Sequence, residues 1–434
     1  MLNILANERF DRNKLLRIIF FALVFGLVKI NSVLAVFILS NFSPSIEIFG
    51  TIDYALALGI IICVPLNAGL PGAYPYFILK LKETVYESAF YFHGWILSSV
   101  FLAILLSCFF LPIPLSITAQ LTILIAAIFC LQILASVMFK SHEKLFTALL
   151  FEAGFFLILN SYNLFLFFTN SEVAIAELKN WFIIYLVILN LYFTIHFFYS
   201  NKLKWKYYKS IIRFGFPLVT GSLLIIALTG SARIIIERWI DMKAVGIYGL
   251  YFRLAALVVL IHQILNIAFF KKIYTSEPQK LDLWFEYFLV FILAVSGLCF
   301  IAIPVLVMPF ISIIKSTWST YHSLYFVLIF QMFFWIVLAL FENIIYREGL
   351  SSKCNPGLIG LFLIMLSGIT LYHYIAILDL ITLVSFNAIT IYLSCEWQIY
   401  LLKKANLFFP KTKRLIRLTI LLIPTYFIYQ SIIS

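Results

Sequence analysis

The sequence predicts an all-α polytopic membrane protein, two six-helix lobes in a parallel pseudo-twofold repeat with a thirteenth C-terminal helix added. Three observations carry this. Hydrophobic residues form 64% of the 434-residue chain and charged residues 12%, against roughly 45–50% and about 25% in soluble domains. With a mean hydropathy of +1.06, the solvent for so much apolar surface is lipid. Apolar runs of 18 or more residues recur along the whole chain, the length of a membrane helix, whereas barrel strands are short segments of alternating polarity. Finally, the basic residues sort by side of the membrane, as tallied below.

In order, spans are expected near 15–39, 50–78, 89–111, 116–139, 145–169, 180–200, 211–235, 246–270, 284–311, 321–346, 356–376, 380–402 and 415–433. The first follows a polar arm, Met1 to Lys14, and its apolar run is too long for the ~7–15 residue core of a signal peptide. It is therefore read as a retained span. Asp379 marks the break between the eleventh and twelfth spans, and Pro424 interrupts the thirteenth. With the N-terminus in the cytoplasm, inside segments hold 24 of the 31 Lys and Arg. Outside segments hold Lys179, Arg238, Lys243 and Lys315, and Lys29, Arg233 and Arg253 lie within spans. This bias sets orientation. It also places the net charge of +12 against an anionic leaflet rather than on a nucleic acid. Membrane lipids are the expected surroundings, and nucleic acid is not an expected partner.

Cys63, Cys108, Cys130, Cys299, Cys354 and Cys395 form no C-x-x-C pair, so neither a zinc site nor a disulfide framework is indicated. No metal or cofactor is expected. The loops are short, which leaves no room for a soluble domain on either face.

A repeat shows at an offset of 196 residues. Arg17 and Arg213 each follow two aliphatic residues before a long apolar run, and Gly50 and Gly246 each open the next span. Six spans separate the copies, so both have the same orientation, as in transporters built from two parallel halves. The expected organisation is residues 1–201 as the first lobe, 202–403 as the second, and 404–434 as a basic segment with the extra span.

A charge at mid-membrane costs ~2.5–3.5 kcal/mol on insertion scales, so it normally faces a partner or a watery cavity. Lys29 stands about 21 Å along the first span, on a stripe with Gly26, Ser32 and Ser40. It is read as facing a cavity or held in a buried ion pair. Arg253 lies about 10 Å inside the eighth span, on the face of Gly246 and Gly249, and is read as facing a cavity. Arg233, near the outer end of the seventh span, has Glu237 at i+4, so a surface pair competes with a functional role. Asp53 is a candidate partner for Lys29 or an ion-coupling carboxylate, and Pro65, Gly69, Pro71 and Gly72 interrupt its span further in. Glu152 is a second coupling candidate. His262 is expected to be a satisfied interhelical histidine. Lys29, Arg233 and Arg253 together suit an anionic substrate, because Arg grips phosphate bidentately and Lys acts as a point charge.

Arg213-Phe-Gly-Phe-Pro217 entering one span, Val245-Gly-Ile-Tyr248 opening the next and Phe-Phe-Lys-Lys-Ile-Tyr274 closing it resemble the polysaccharide-transporter branch of the multidrug/oligosaccharidyl-lipid/polysaccharide exporter superfamily. Within it, the O-antigen (Wzx-type) flippases are the most similar group. The resemblance implies twelve core helices in two lobes. It implies ion-coupled alternating access that moves an undecaprenyl-diphosphate-linked oligosaccharide across the bacterial inner membrane. A polysaccharide polymerase and a chain-length regulator are the implied protein partners, and Lys29, Arg233 and Arg253 would supply the cationic interior. A multidrug or peptidoglycan-precursor exporter of the same superfamily is the alternative, although a drug antiporter would favour acidic residues. A membrane polymerase or glycosyltransferase fits less well. The chain has no HExxH, no Walker loop and no paired carboxylates, and its first outer loop, Ser40 to Phe49, offers only Glu47. The chain is read as a transporter, not an enzyme.

Overall fold

The computed structural model describes residues 34–433 together with 26, 28 and 31, apart from 76, 79–81, 111–114, 143, 201–202 and 349. The described residues form helices and connecting turns, with no strand among them. Helical residues 34–42 form α1. Ser45 caps α2 (Ile46–Leu66) by accepting a hydrogen bond from the Ile48 amide. The second span is broken: Ala68 and Gly69 both adopt positive φ (49° and 72°), and α3 (Leu70–Pro75) resumes it. Then come α4 (Glu87–Phe110), α5 (Ile117–Ser141), α6 (Leu145–Thr169) and α7 (Ile175–Tyr199). The seventh span is also two helices, α8 (Trp205–Gly230) and α9 (Ala232–Trp239), separated at Ser231. Next are α10 (Met242–Thr275), α11 (Pro278–Leu306), α12 (Ser312–Arg347), α13 (Ser351–Ile375) and α14 (Leu380–Lys404). The thirteenth segment divides into α15 (Pro410–Ile420) and α16 (Leu422–Ile433). Ten of the described helices are long and apolar enough to cross a membrane.

Several helices start before the apolar run that announced them. α12 begins at Ser312 rather than 321, and α8 at Trp205 rather than 211. Hydropathy marks where the hydrocarbon begins. Backbone hydrogen bonding carries the helix beyond it through the interface.

The break in the second span frees backbone groups, which neighbouring side chains take up. The Leu66 carbonyl accepts from His93 Nε2 at 3.1 Å, and His93 Nδ1 lies 2.9 Å from the Tyr208 hydroxyl. A carbonyl can only accept, so Nε2 carries the proton and Nδ1 accepts from Tyr208. This network ties α4 and the α2 terminus to α8.

The repeat is visible in the packing. α2 lies on α5 and α5 on α7; in the second half α10 lies on α12 and α12 on α14. These are the second, fourth and sixth spans and their counterparts six spans later. The halves meet where α2 lies on α10. There a Cβ on Gly50 would stand 2.0 Å from the Met242 carbonyl oxygen, and one on Gly246 would stand 2.5 Å from the Ile46 carbonyl oxygen. Ile46 and Met242, like Gly50 and Gly246, are 196 residues apart. The contact is thus reciprocal, as a twofold axis between the helices requires. Only glycine lets the two backbones come this close.

The C-terminal segment is fastened to the second half. Buried Asp282 accepts from the Lys411 amide (3.0 Å), the Thr412 amide (2.9 Å) and the Thr412 hydroxyl (2.7 Å), filling the open N-terminus of α15. In α16, Tyr426 stacks on Phe326 of α12 with ring centroids 3.7 Å apart.

Candidate functional site

The site grows from the glycine crossing. Two turns after its cap, α2 presents Asp53 towards α10, where Gly249 stands opposite. A Cβ at 249 would lie 2.2 Å from Asp53 Oδ2, so glycine makes the space that the carboxylate fills. Asp53 and Gly249 are themselves 196 residues apart. The pseudo-axis therefore sets a carboxylate on one side against a vacancy on the other.

One turn after Gly249, Arg253 donates through Nη2 to Asp53 Oδ1. From α9, Arg233 donates through Nε to Asp53 Oδ2 at 2.6 Å. Packing of α9 against α2 and α10 places Arg233 on the buried side. Its guanidinium lies over the rings of Phe252 (4.6 Å) and Tyr248 (5.2 Å), a desolvated cation–π arrangement. The Asp53 side chain is fully buried, and those of Arg233 and Arg253 are 7% and 14% exposed. Two guanidiniums share one carboxylate, leaving one positive charge without a counter-charge among the described residues. Arg253 Nε is buried without a hydrogen-bond partner. Beside it and Asp53 is a small cavity whose walls include Val36, Phe155 and Phe182 from α1, α6 and α7. Chemically, the cluster is a buried ion triad of two guanidiniums on one carboxylate.

The sequence candidates fall as follows. Arg233, Arg253 and Asp53 come together. The carboxylate that Arg233 takes is Asp53, from the other half of the chain, rather than Glu237 at i+4. The space next to Gly246 and Gly249, expected to open over Arg253, is filled by α2 and Asp53. Lys29 lies outside the described residues. Glu152 pairs with Lys140 at 2.8 Å, both partly exposed. His262 is buried between helices beside Phe288 and Trp335, but its Nδ1 has no hydrogen-bond partner among the described residues, so it is not the satisfied histidine expected. Among the described residues no group of three or more His, Cys, Asp or Glu could hold a metal.

Sequence reasoning missed the aromatic cradle of Tyr248 and Phe252. It also missed the Asp53–Arg253 pairing, although a signal was present. The 196-residue offset maps position 53 onto 249, one turn from Arg253, and a twofold crossing at Gly50 and Gly246 puts those positions face to face.

No family model matches the chain, and no curated protein sequence matches it. Among solved structures it is similar to a multidrug resistance transporter of the MATE family, MOP superfamily, in an inward-facing conformation. That similarity has a TM-score of 0.52 at 13% identity and covers 86% of this chain and 94% of the other. A second MATE structure, in complex with MaL6, is 15% identical with a TM-score of 0.39, covering 88% of this chain and 94% of that one. At such identity the first similarity speaks for fold alone. The chain is a multi-pass helical protein with the fold of MATE-type transporters.

Proposed function

We propose that this protein moves an undecaprenyl-diphosphate-linked oligosaccharide from the inner to the outer leaflet of the bacterial cytoplasmic membrane by alternating access. The observation that supports this is the charge balance where the halves meet. Two arginines stand against one aspartate, and the only other buried carboxylate among the described residues is Asp282, which is taken up in capping α15. A drug-cation exporter needs carboxylates facing its cavity, whereas a diphosphate needs guanidinium groups. In this reading Arg253, Arg233 and Lys29 are the substrate contacts, and residues 1–201 and 202–403 are the two lobes. A polymerase and a chain-length regulator of the polysaccharide are the protein partners. Asp53, held by two arginines, acts as their counter-ion rather than carrying a coupling cation.

The test is surface polysaccharide in cells at equal protein level. Arg253→Ala and Lys29→Ala each lower it, and Lys29→Arg is tolerated better than Lys29→Ala. Full display by the Lys29→Ala, Arg253→Ala double variant overturns the reading. Unchanged polysaccharide with lost drug resistance in the same variant points instead to multidrug export, the activity named for the solved neighbour.

A further inference from the structure

The Arg213-Phe-Gly-Phe-Pro217 motif takes no part in the buried cluster, yet the structure gives each of its halves a distinct place. Gly215 packs against the break in the second span: a Cβ there would lie 2.1 Å from the Ala68 carbonyl oxygen, and one on Gly69 would lie 2.1 Å from the Gly215 carbonyl oxygen. The same side of α8 is held by Phe214 against Phe77 and by Tyr208 against His93. This clamp fixes the rotation of α8. At about 100° per residue, it turns Lys206, Lys209, Arg213 and Phe216 to the opposite side, and all four are exposed. Phe216 is 69% exposed, and Trp205 at the head of the helix is 64% exposed.

The result is a ladder of three cations followed by an aromatic ring on one face of one helix. Arg213 stands about 12 Å along α8 from Trp205, at the level where the apolar run begins. Among the described residues none of Lys206, Lys209 and Arg213 has an acidic partner within ion-pair distance. A row of cations with no acidic partner among the described residues, running from the headgroup level to the start of the apolar run and ending on an exposed apolar ring, complements a molecule with several negative charges on a hydrocarbon chain. We infer that this face of α8 is a first-contact site for the diphosphate of a polyprenyl-linked substrate, which Lys206, Lys209 and Arg213 take up from the inner leaflet before it reaches Arg253. The inference rests on the transport reading above.

The experiment is native mass spectrometry of the purified full-length protein titrated with undecaprenyl diphosphate or with phosphatidylglycerol. The wild type is compared with a Lys206→Gln, Lys209→Gln, Arg213→Gln variant. The substituted side chains are exposed, so the variant is expected to fold, with a single sharp elution peak in detergent as the check. The expected result is weaker retention of undecaprenyl diphosphate by about tenfold or more, the equivalent of one charge-assisted contact, with phosphatidylglycerol adducts unchanged. Equal retention of undecaprenyl diphosphate by both proteins overturns the first-contact site and leaves the transport reading standing. Equal loss of both lipids also overturns it, since the face then serves bulk lipid. Failure of the wild type to retain undecaprenyl diphosphate overturns the transport reading, and the site with it.

Discussion

Asp53→Ala tests whether the two halves of the chain are joined by charge as well as by packing. The Asp53 side chain is fully buried and touches both Arg233 and Arg253. Removing one partner of a buried ion pair costs about 3–5 kcal/mol, because an uncompensated charge stays behind. Here the alanine strands two charges. Arg253→Ala is milder, since Arg233 still holds Asp53, and so is Arg233→Ala. Each loses a hydrogen bond to a charged group, worth about 1.5–3 kcal/mol. The order of damage is therefore Asp53→Ala first and either arginine variant second. The Asp53→Ala, Arg253→Ala pair should cost less than the sum of its members by about 0.5–3 kcal/mol, the coupling of groups in contact. Unfolding of the purified protein in mixed micelles of increasing SDS content, followed by tryptophan fluorescence, gives the four free energies. Strict additivity refutes the reasoning, and so does an Asp53→Ala protein no less stable than Arg253→Ala.

Three further outcomes follow from the packing. Gly246→Leu forces a side chain into the Ile46 carbonyl and separates the N-terminal ends of α2 and α10. A cysteine placed at buried Val245 should then react with a membrane-impermeant maleimide, and an unreactive cysteine counts against closure by that contact. Asp282→Ala removes three hydrogen bonds from the start of α15. Loss of a cap costs about 0.5–2 kcal/mol, so limited proteolysis near Asn406 should accelerate severalfold while the core stays intact; unchanged cleavage argues against the fastening role. Glu396→Gln breaks a two-pronged contact with Arg417 at 2.8 and 3.1 Å. The Arg417 side chain is 56% exposed, and exposed pairs contribute about 0–1 kcal/mol, so the denaturation midpoint should hardly move. A large loss there would mean that α15 depends on this pair.

Apolar run length determined the helices, because lipid demands about 20 apolar residues per crossing and leaves the backbone no partner but itself. α6 falls at the expected bounds, Leu145–Thr169. The 196-residue offset held the repeat, and with it the axis on which Gly50 meets Gly246. Arg233 and Arg253 announced themselves as in-span charges whose burial needs a reason. What they touch was decided by tertiary structure. Arg233 had an acidic neighbour in sequence, Glu237, but the packing of α9 against α2 and α10 brings it to Asp53, 180 residues away. Cross-helix partners depend on how whole helices pack, and one-dimensional hydropathy holds no term for that. The broken second span was legible in Pro65, Gly69 and Pro71, whereas its consequence was not. A left-handed Ala68–Gly69 corner receives Gly215, fixes the rotation of α8 and so decides which face of that helix carries its cations outward.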